Sequence, residues 1–102
     1  MGILDTKTYL VRSRDAGVFF GHIESKEGSA VVMRNARRVW YWSGAASLSE
    51  LAERGSSDPT KCKIPCAVKR IEVRGVCEVA EMSDVAVASL ALAPEWSLHD
   101  GD

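Results

Sequence analysis

The residue types best suited to chemistry stand together at positions 35–42, which read Asn-Ala-Arg-Arg-Val-Trp-Tyr-Trp. An arginine fork offers paired N–H donors that match phosphate oxygens, and an aromatic ring offers a flat surface on which a base stacks for ~1–3 kcal/mol. If these residues form one extended strand, alternate side chains point to opposite faces. One face can then pack into the core while the other binds a nucleotide-like anion. The two sets are Arg38, Trp40 and Trp42 on one face and Arg37, Val39 and Tyr41 on the other.

The same anion could draw on groups from other parts of the chain. Arg12, Arg70 and Arg74 are candidates for a third guanidinium across the sheet. A helix beginning near Ser47 would add free backbone N–H groups and the positive end of its dipole. The predicted ligand-binding residues are therefore Asn35, Arg37, Arg38, Trp40, Tyr41, Trp42, Arg12, Arg70 and Arg74.

Each of these residues also has a purely structural interpretation. Consecutive aromatic residues on a strand are often core or interface residues. Arg37 and Arg38 could form a solvated face or pair with acidic residues of the following segment, and Asn35 could end a turn. The acidic candidates are Glu50 and Glu53. The sequence leaves both interpretations open.

Catalytic patterns are weak in this chain. His22 has no serine or cysteine at a spacing that suggests a nucleophile and its base. The acidic residues show no paired-carboxylate pattern, and those weighed are Glu24, Glu27, Asp58 and Glu72. We therefore predict no catalytic residue and no enzymatic activity.

Length and charge narrow the class of ligand. The chain has 102 residues, with 13 basic and 14 acidic side chains and a formal net charge of −1. Proteins that coat long nucleic acids neutralise many phosphates and are usually basic, so a small anion met by a local cluster of arginines is the better fit. A chain of this length predicts one domain at 1–102, with a short flexible tail at about 97–102.

The cysteines indicate reduced thiols rather than a disulfide framework or a metal site. Cys62, Cys66 and Cys77 are odd in number, and no apolar signal segment opens the chain. A zinc site completed by His22 or His99 is disfavoured because the chain has no tight Cys-x-x-Cys pair. We predict a cytosolic protein with no cofactor and no metal. No run approaches the roughly 20 apolar residues of a membrane span, so no membrane partner is expected.

The first half of the chain reads as strands. Apolar runs at 8–13 and 17–23, and a third that starts at 30–33 and continues into the opening motif, are separated by turn signals at 14–17 and 26–29. Links this short favour antiparallel neighbours, so the pattern predicts a meander.

A helix is expected after the opening motif. Ser47 is a good N-cap, Glu50 completes a capping box, and Gly55 stands where a C-terminal glycine belongs. The buried stripe of this helix is predicted to be Leu48, Leu51 and Ala52.

The second half begins with a polar loop at 56–60 and an irregular approach at 61–65. Residues 68–79 alternate as a strand with one wet face. Ser83 and Asp84 can cap a last helix through about Leu92, Trp96 is expected to fold back on the core, and 99–102 should fray. The predicted fold class is α+β, an antiparallel meander with a short mid-chain helix and a C-terminal helix.

Phe19 and Phe20 are adjacent on a predicted strand. In a single-layer sheet one of them must point away from the core. A homodimer interface is the ordinary explanation for such an aromatic residue.

Five segments of the chain form a pattern when taken in order. They are Arg-Ser-Arg-Asp-Ala-Gly-Val at 12–18, Asn-Ala-Arg-Arg-Val-Trp-Tyr-Trp-Ser-Gly-Ala at 35–45, Leu-Ser-Glu-Leu-Ala at 48–52, Cys62-Lys63 and Glu95-Trp96. Together they resemble the small phage proteins of the Thoeris anti-defence family, first type. The likeness extends over nearly the whole chain, and the Asn-Ala-Arg-Arg core with its aromatic tail is its most specific part.

The resemblance implies a sponge, a protein that binds cyclic ADP-ribose signals of bacterial immunity, and in some members cyclic oligonucleotides, without cleaving them. It implies an antiparallel sheet with C-terminal helices. It also implies a homodimer that can build into a higher homo-oligomer such as a hexamer, acting in the cytoplasm of the infected bacterial host. No ligand contact of the family is transferred to an individual residue.

Two functional classes follow from these observations. One is a non-catalytic protein that sequesters a cyclic nucleotide signal. The other is a small phage or prophage structural or protein-interaction module that oligomerises through its aromatic strand.

Overall fold

The computed structural model describes residues 7–97. They form one antiparallel sheet with two helices, so the predicted α+β class, with a mid-chain and a C-terminal helix, is confirmed. The predicted frayed tail lies outside the described residues, apart from Ser97. The strands are β1 (Tyr9–Ser13), β2 (Gly17–Glu27), β3 (Ala30–Val39), β4 (Val68–Val73) and β5 (Val76–Glu81).

The helices end where their capping residues predict. Helix α1 (Leu48–Arg54) begins after Ser47, whose hydroxyl accepts a hydrogen bond from the Glu50 backbone N–H at 3.1 Å, and ends at Gly55 with φ 75°. A 3₁₀ turn (Pro59–Lys61) follows, and helix α2 (Asp84–Ala91) is capped by the Ser83 hydroxyl. In the described part of the chain, no helix is long and apolar enough to cross a membrane.

The sheet curls so that its two edges approach each other. The strand order is β4-β3-β2-β1-β5, yet only Arg74 and Gly75 separate β4 from β5. At this crossing the Val76 N–H donates to the Ser29 carbonyl at the tip of the β2–β3 hairpin. The prediction of one continuous strand at 68–79 is therefore wrong. Gly75 has φ 69° and breaks it into two strands at opposite edges.

The curl creates two hydrophobic clusters, one on each face of the sheet. The buried residues of the concave cluster all come from strands, whereas the outer cluster joins the sheet to α1 and α2. Phe19 is 2% exposed in the concave cluster and Phe20 is 8% exposed in the outer cluster. The expectation that one of them needs a partner subunit is wrong, because a curled sheet covered by helices buries both faces within one chain.

A β-bulge in β3 decides which way the opening motif faces. Phe20 pairs with Arg37 and His22 pairs with Arg34, so the single residue Gly21 lies opposite two residues of β3. Asn35, the first of these two, has φ 51°, the left-handed conformation that asparagine tolerates better than most residues. The bulge places Arg37 on the helix-covered face and Arg38 on the concave face. Asn35 therefore shapes the strand and ends no turn.

Candidate binding site around Trp40, Lys63 and Trp96

Strand β3 ends at Val39, so the prediction of one extended strand through Trp42 is wrong. The chain continues instead as a short bridge to the segment after the 3₁₀ turn. The backbone N–H groups of Trp40 and Tyr41 both donate to the Lys63 carbonyl, at 3.0 and 3.3 Å, and the Lys63 N–H donates to the Tyr41 carbonyl at 2.8 Å. This bridge brings both aromatic residues beside Lys63.

The chain after α2 returns to the same place. The backbone N–H of Trp96 donates to the Ile64 carbonyl at 3.1 Å, and Ile64 forms a parallel bridge with Glu95. Three segments distant in sequence thus lie side by side, at 40–41, 63–65 and 94–96. The chain does fold back at Trp96, but the ring stacks on exposed Trp40 and joins neither hydrophobic cluster, so the expectation that Trp96 packs on the core is wrong.

These segments build a surface that we call the indole platform, formed by Trp40, Tyr41, Lys63 and Trp96. The rings of Trp40 and Trp96 stack with centroids 5.0 Å apart and an interplanar angle of 18°. The Lys63 ammonium nitrogen lies 5.4 and 5.6 Å from the centroids of Trp40 and Trp96, and 6.0 Å from that of Tyr41. Trp40 is 60% exposed and Tyr41 is 50% exposed, so solvent and ligands reach the platform.

Lys63 carries an unneutralised charge at the centre of the platform. Among residues 7–97 it forms no ion pair with a carboxylate, and its contacts are with the three aromatic rings. Cation–π contact orients an ammonium group but leaves its N–H donors able to bind an anion. The platform therefore combines flat aromatic surface with a local positive charge.

A groove of about 290 Å³ opens beside the platform. Lys61 lies along it and forms an ion pair with Asp58 at 3.7 Å. The groove has the chemical groups that a base-bearing anion needs, namely aromatic surface and ammonium donors. It is lined by Thr60, Lys61, Cys62, Lys63, Pro94, Glu95 and Trp96.

Arg37 is predicted as a phosphate ligand, but it lies behind this surface and holds two backbone segments together. Its Nε donates to the Pro65 carbonyl at 2.9 Å and its Nη2 to the Ile64 carbonyl at 2.7 Å. The same guanidinium donates to the carbonyls of Ala93 at 3.2 Å and Pro94 at 3.4 Å. Burial lowers the pKa of Arg37, and the nearby Glu95 charge partly offsets this effect. Arg37 thus joins the segments that carry Lys63 and Trp96, and most of its donors are occupied.

Arg38 lies on the other face of the sheet. Its guanidinium carbon is 4.7 Å from the centroid of the Phe19 ring, which it covers at the rim of the concave cluster. The predicted shared face of Arg38 and Trp40 is not formed, because the strand ends between them. Within residues 7–97 neither Arg37 nor Arg38 pairs with Glu50 or Glu53, and Glu50 pairs with Arg54 instead.

The remaining predicted arginines are dispersed and occupied. Arg12 pairs with Glu78 at 3.4 Å and Arg74 with Glu72 at 3.1 Å. These exposed pairs lie on different strands and do not reach the platform.

Arg70 belongs to a three-residue cluster on β2, β3 and β4. Its Nε and Nη2 donate to the two carboxylate oxygens of Glu24, each at 3.0 Å, and Arg34 donates to the same carboxylate at 2.5 Å. Hydrogen bonds from Arg70 and Arg34 lower the pKa of Glu24 to about 2. This cluster ties neighbouring strands together.

Trp42 is half-buried and separated from the platform. Its ring packs against the outer cluster, and Nε1 donates to the Ala45 carbonyl at 3.3 Å. Of the three consecutive aromatic residues, two are exposed and one stabilises the loop before α1.

The structure adds Lys63, Glu95 and Trp96 to the candidate site. Residues 62–63 and 95–96 contributed to the family resemblance, but no local spacing connects them with Trp40. In the sequence, the available signal for this site is that Lys63 and Trp96 stand in short extended segments. The backbone bridges in the folded chain bring these two residues beside Trp40.

One cysteine lines the groove, and the other two cysteines and His22 are not part of its described lining. Cys62 is buried, and its sulfur contacts the Ser43 backbone and the Ser56 hydroxyl, whereas Cys66 and Cys77 are exposed. His22 Nδ1 lies 2.9 Å from the Lys7 carbonyl oxygen. Within residues 7–97, no group of three His, Cys, Asp or Glu side chains is placed to hold a metal ion.

Comparison with known proteins places the chain in a family. Residues 6–90 match the model of a family described as a domain of unknown function, DUF6948. The chain belongs to this family. The match includes the sheet, α1 and most of α2, whereas Glu95 and Trp96 follow it. No curated protein and no solved structure matches the chain.

Proposed function

We propose that this protein is a non-catalytic sponge that binds a cyclic nucleotide immune signal at the indole platform. The observation that supports the proposal best is the stack of half-buried Trp96 on exposed Trp40, with the ammonium of Lys63 against both rings and in no ion pair among residues 7–97. The Thoeris anti-defence resemblance supplies the ligand class, which is cyclic ADP-ribose isomers and cyclic oligonucleotides. The setting implied by that resemblance is the cytoplasm of an infected bacterial host.

The platform supplies both interactions that a nucleotide needs. A base stacked on an exposed indole gains ~1–3 kcal/mol, and stacking tolerates any base because every base has a π-face. Lys63 can bind a phosphate without first losing a carboxylate partner, and Lys61 lies along the same groove. Arg37 holds the backbone of the surrounding segments before the ligand arrives, which reduces the ordering cost of binding.

The size and charge of the site favour a small ligand over a long nucleic acid. The groove of about 290 Å³ lies just below the range for small-molecule sites, about 300–1,000 Å³. The net charge of −1 would oppose the binding of a long polyanion.

The lining of the groove supports sequestration rather than turnover. Its thiol, Cys62, is buried and packed against backbone and hydroxyl groups, and its one carboxylate is that of Glu95. The described lining thus holds no pair of carboxylates for acid and base roles, and its thiol contacts a hydroxyl rather than a base. The bound signal is therefore expected to stay intact.

We further propose that the chain acts as a homodimer, which can extend to a higher homo-oligomer such as a hexamer. Apolar surface beyond the platform remains exposed on the chain at Val68, Val79, Val85 and Leu92. Sedimentation at micromolar concentration should show no monomer, and a clean monomer would contradict this part of the proposal.

Calorimetric titration with cyclic ADP-ribose isomers and cyclic di- and trinucleotides tests the binding function. A useful sponge must bind at about nanomolar Kd, or about −12 kcal/mol. Trp40→Ala and Lys63→Ala should weaken binding, whereas Trp40→Phe, which keeps a stacking ring, should retain most of it. Arg12→Ala removes an arginine remote from the platform and is the charge control.

Recovery of the ligand tests the absence of chemistry. After incubation the complex is heated to unfold the protein, and the released molecule is identified. The intact ligand in stoichiometric amount agrees with sequestration. A linear or dephosphorylated product formed with turnover would show an enzyme instead.

A second candidate function is a structural or protein-interaction module. It is favoured by the exposure of Trp40 and Tyr41, because large apolar patches often mark interfaces. Under this alternative no cyclic nucleotide would bind, and Trp40→Ala would dissociate the oligomer.

A further inference from the structure

Glu95 places a carboxylate in a groove that otherwise suits an anion. It is exposed, lies in the groove with Lys61 and Lys63, and directly precedes the stacked Trp96. Among residues 7–97 its side chain forms no hydrogen bond and no ion pair, and its charge interacts with that of Arg37, whose donors bind backbone carbonyls. Its acceptor oxygens are therefore available to a ligand.

A carboxylate near a phosphate site is unfavourable unless it accepts hydrogen bonds from the ligand, because like charges repel. An ionised carboxylate is acceptor-only, with two oxygens that suit a pair of parallel N–H donors. The part of a nucleotide that Glu95 recognises must therefore present adjacent donors, and the phosphate itself cannot be that part.

Guanine is the common nucleobase that satisfies this requirement. Its Watson–Crick edge carries N1–H beside the N2 amino group, two neighbouring donors. Adenine and cytosine each present one amino donor beside a ring-nitrogen acceptor, whose lone pair would face a carboxylate oxygen. Uracil presents one N–H between two carbonyls.

We propose that Glu95 makes this groove selective for guanine, with the base stacked on Trp96, which Trp40 supports, and its phosphate held by Lys63 and Lys61. The inference rests on the binding function proposed above and specifies its ligand. Among the cyclic nucleotides considered there, it favours guanine-bearing cyclic oligonucleotides over the adenine-bearing cyclic ADP-ribose isomers.

The backbone around Glu95 is held in place before a ligand arrives. The carbonyl oxygen of its neighbour Pro94 accepts a hydrogen bond from Arg37, and Glu95 itself bridges to Ile64. The Trp96 N–H bond to Ile64 fixes the other side. A carboxylate on a fixed backbone discriminates between ligands better than one on a mobile loop, because less ordering is required on binding.

The test compares GMP, IMP and AMP by quenching of tryptophan fluorescence, with cyclic di-GMP and cyclic di-AMP as a second pair. IMP keeps the N1–H of guanine but lacks its 2-amino group, so it reports one hydrogen bond of the two. The wild type should bind GMP about 10-fold to 100-fold tighter than AMP, with IMP between them. Glu95→Gln should bring the GMP and AMP affinities to within about threefold, since an amide offers one acceptor oxygen and adds a donor.

Glu53→Gln is the matched control, because Glu53 is also an exposed carboxylate with no side-chain ion pair in the described part of the chain. It should keep the wild-type ratio of GMP to AMP affinity. Equal affinity of the wild type for GMP and AMP would overturn the guanine selectivity. So would a uniform loss for all nucleotides in Glu95→Gln, which would indicate a ribose contact.

Failure of the selectivity can be told apart from failure of the binding function. If Trp40→Ala abolishes nucleotide binding while GMP and AMP bind the wild type equally, the sponge stands and the role of Glu95 falls. If no mononucleotide or cyclic nucleotide quenches the wild-type fluorescence, both proposals fall.

Discussion

The guanidinium of Arg37 holds the main chain at Ile64, with 2.7 Å between Nη2 and the carbonyl oxygen. The backbone of Ile64 in turn accepts the N–H of Trp96, while its neighbour Lys63 bridges to Trp40 and Tyr41. Arg37 therefore supports the platform from behind, and its effect on a ligand would pass through the position of the rings.

Substitution of Arg37 by lysine should destabilise the protein. One ammonium nitrogen cannot replace three guanidinium nitrogens that bind four carbonyls, and each half-buried acceptor left unpaired costs about 1–3 kcal/mol. Arg38→Lys is the matched control, because Arg38 is exposed over Phe19 and bonds no carbonyl in the described residues. Urea unfolding measures both variants. Equal free energies of unfolding for the two variants would contradict the proposal that Arg37 stabilises the fold through its carbonyl hydrogen bonds.

Substitutions of Trp40 and Trp42 should have different effects, the first on ligand affinity and the second on folding stability. Trp40→Ala removes an exposed ring and should leave the melting temperature nearly unchanged while affinity falls by about 1–3 kcal/mol. Trp42→Ala removes a half-buried ring from the outer cluster and should cost about 2 kcal/mol of folding stability, less than a full core truncation. Thermal melts and ligand titrations on both variants measure these two effects. Lower affinity in Trp42→Ala with unchanged affinity in Trp40→Ala would place the binding surface elsewhere.

The stability of the bulge at Asn35 should depend on the space beside Gly21 on β2 and on the backbone conformation of Asn35 on β3. A Cβ on Gly21 would lie 2.8 Å from the Ala36 Cα, so Gly21→Ala should destabilise the protein by about 1–3 kcal/mol. Asn35→Val should cost about 1–2 kcal/mol because a β-branched residue resists φ 51°. Asn35→Gly, which accepts that conformation, serves as the control in denaturant unfolding. A tolerated Asn35→Val would mean that the bulge is not required.

The cluster of Glu24 with Arg34 and Arg70 should make stability depend on acid pH. The pKa of Glu24 is lowered from 4.5 to about 2 in the folded protein, so its contribution is fully present above pH 4.5 and is lost as the pH falls toward 2. Glu24→Gln should flatten the pH dependence of unfolding in this window. Glu53→Gln should keep the wild-type slope. An unchanged slope in Glu24→Gln would show that the carboxylate titrates alike in both states.

The helix ends could be predicted from the sequence because local hydrogen bonds of the capping residues specify them. The Ser47 hydroxyl bonds the N–H three residues later, and Gly55 adopts a conformation open to glycine, so adjacent residues specify both ends of α1. The structure differs from the predicted capping box in one contact, because the Glu50 carboxylate accepts a hydrogen bond from the Ala46 N–H rather than from the Ser47 N–H. The antiparallel hairpins follow from their short turns in the same way.

Long-range pairing decided the remaining features, because such contacts depend on the burial of the whole chain rather than on neighbouring residues. The sequence around Arg74 and Gly75 reads as the middle of one strand, but the curl of the sheet sends the two halves to opposite edges. Asn35 and Gly21 together form a bulge that reverses the facing of Arg37. The motif at 35–42 determined by itself which residue types were available for binding. The bridges from Lys63 and Trp96 decided that Trp40 and Tyr41 face solvent, while Arg37 and Trp42 stabilise the fold.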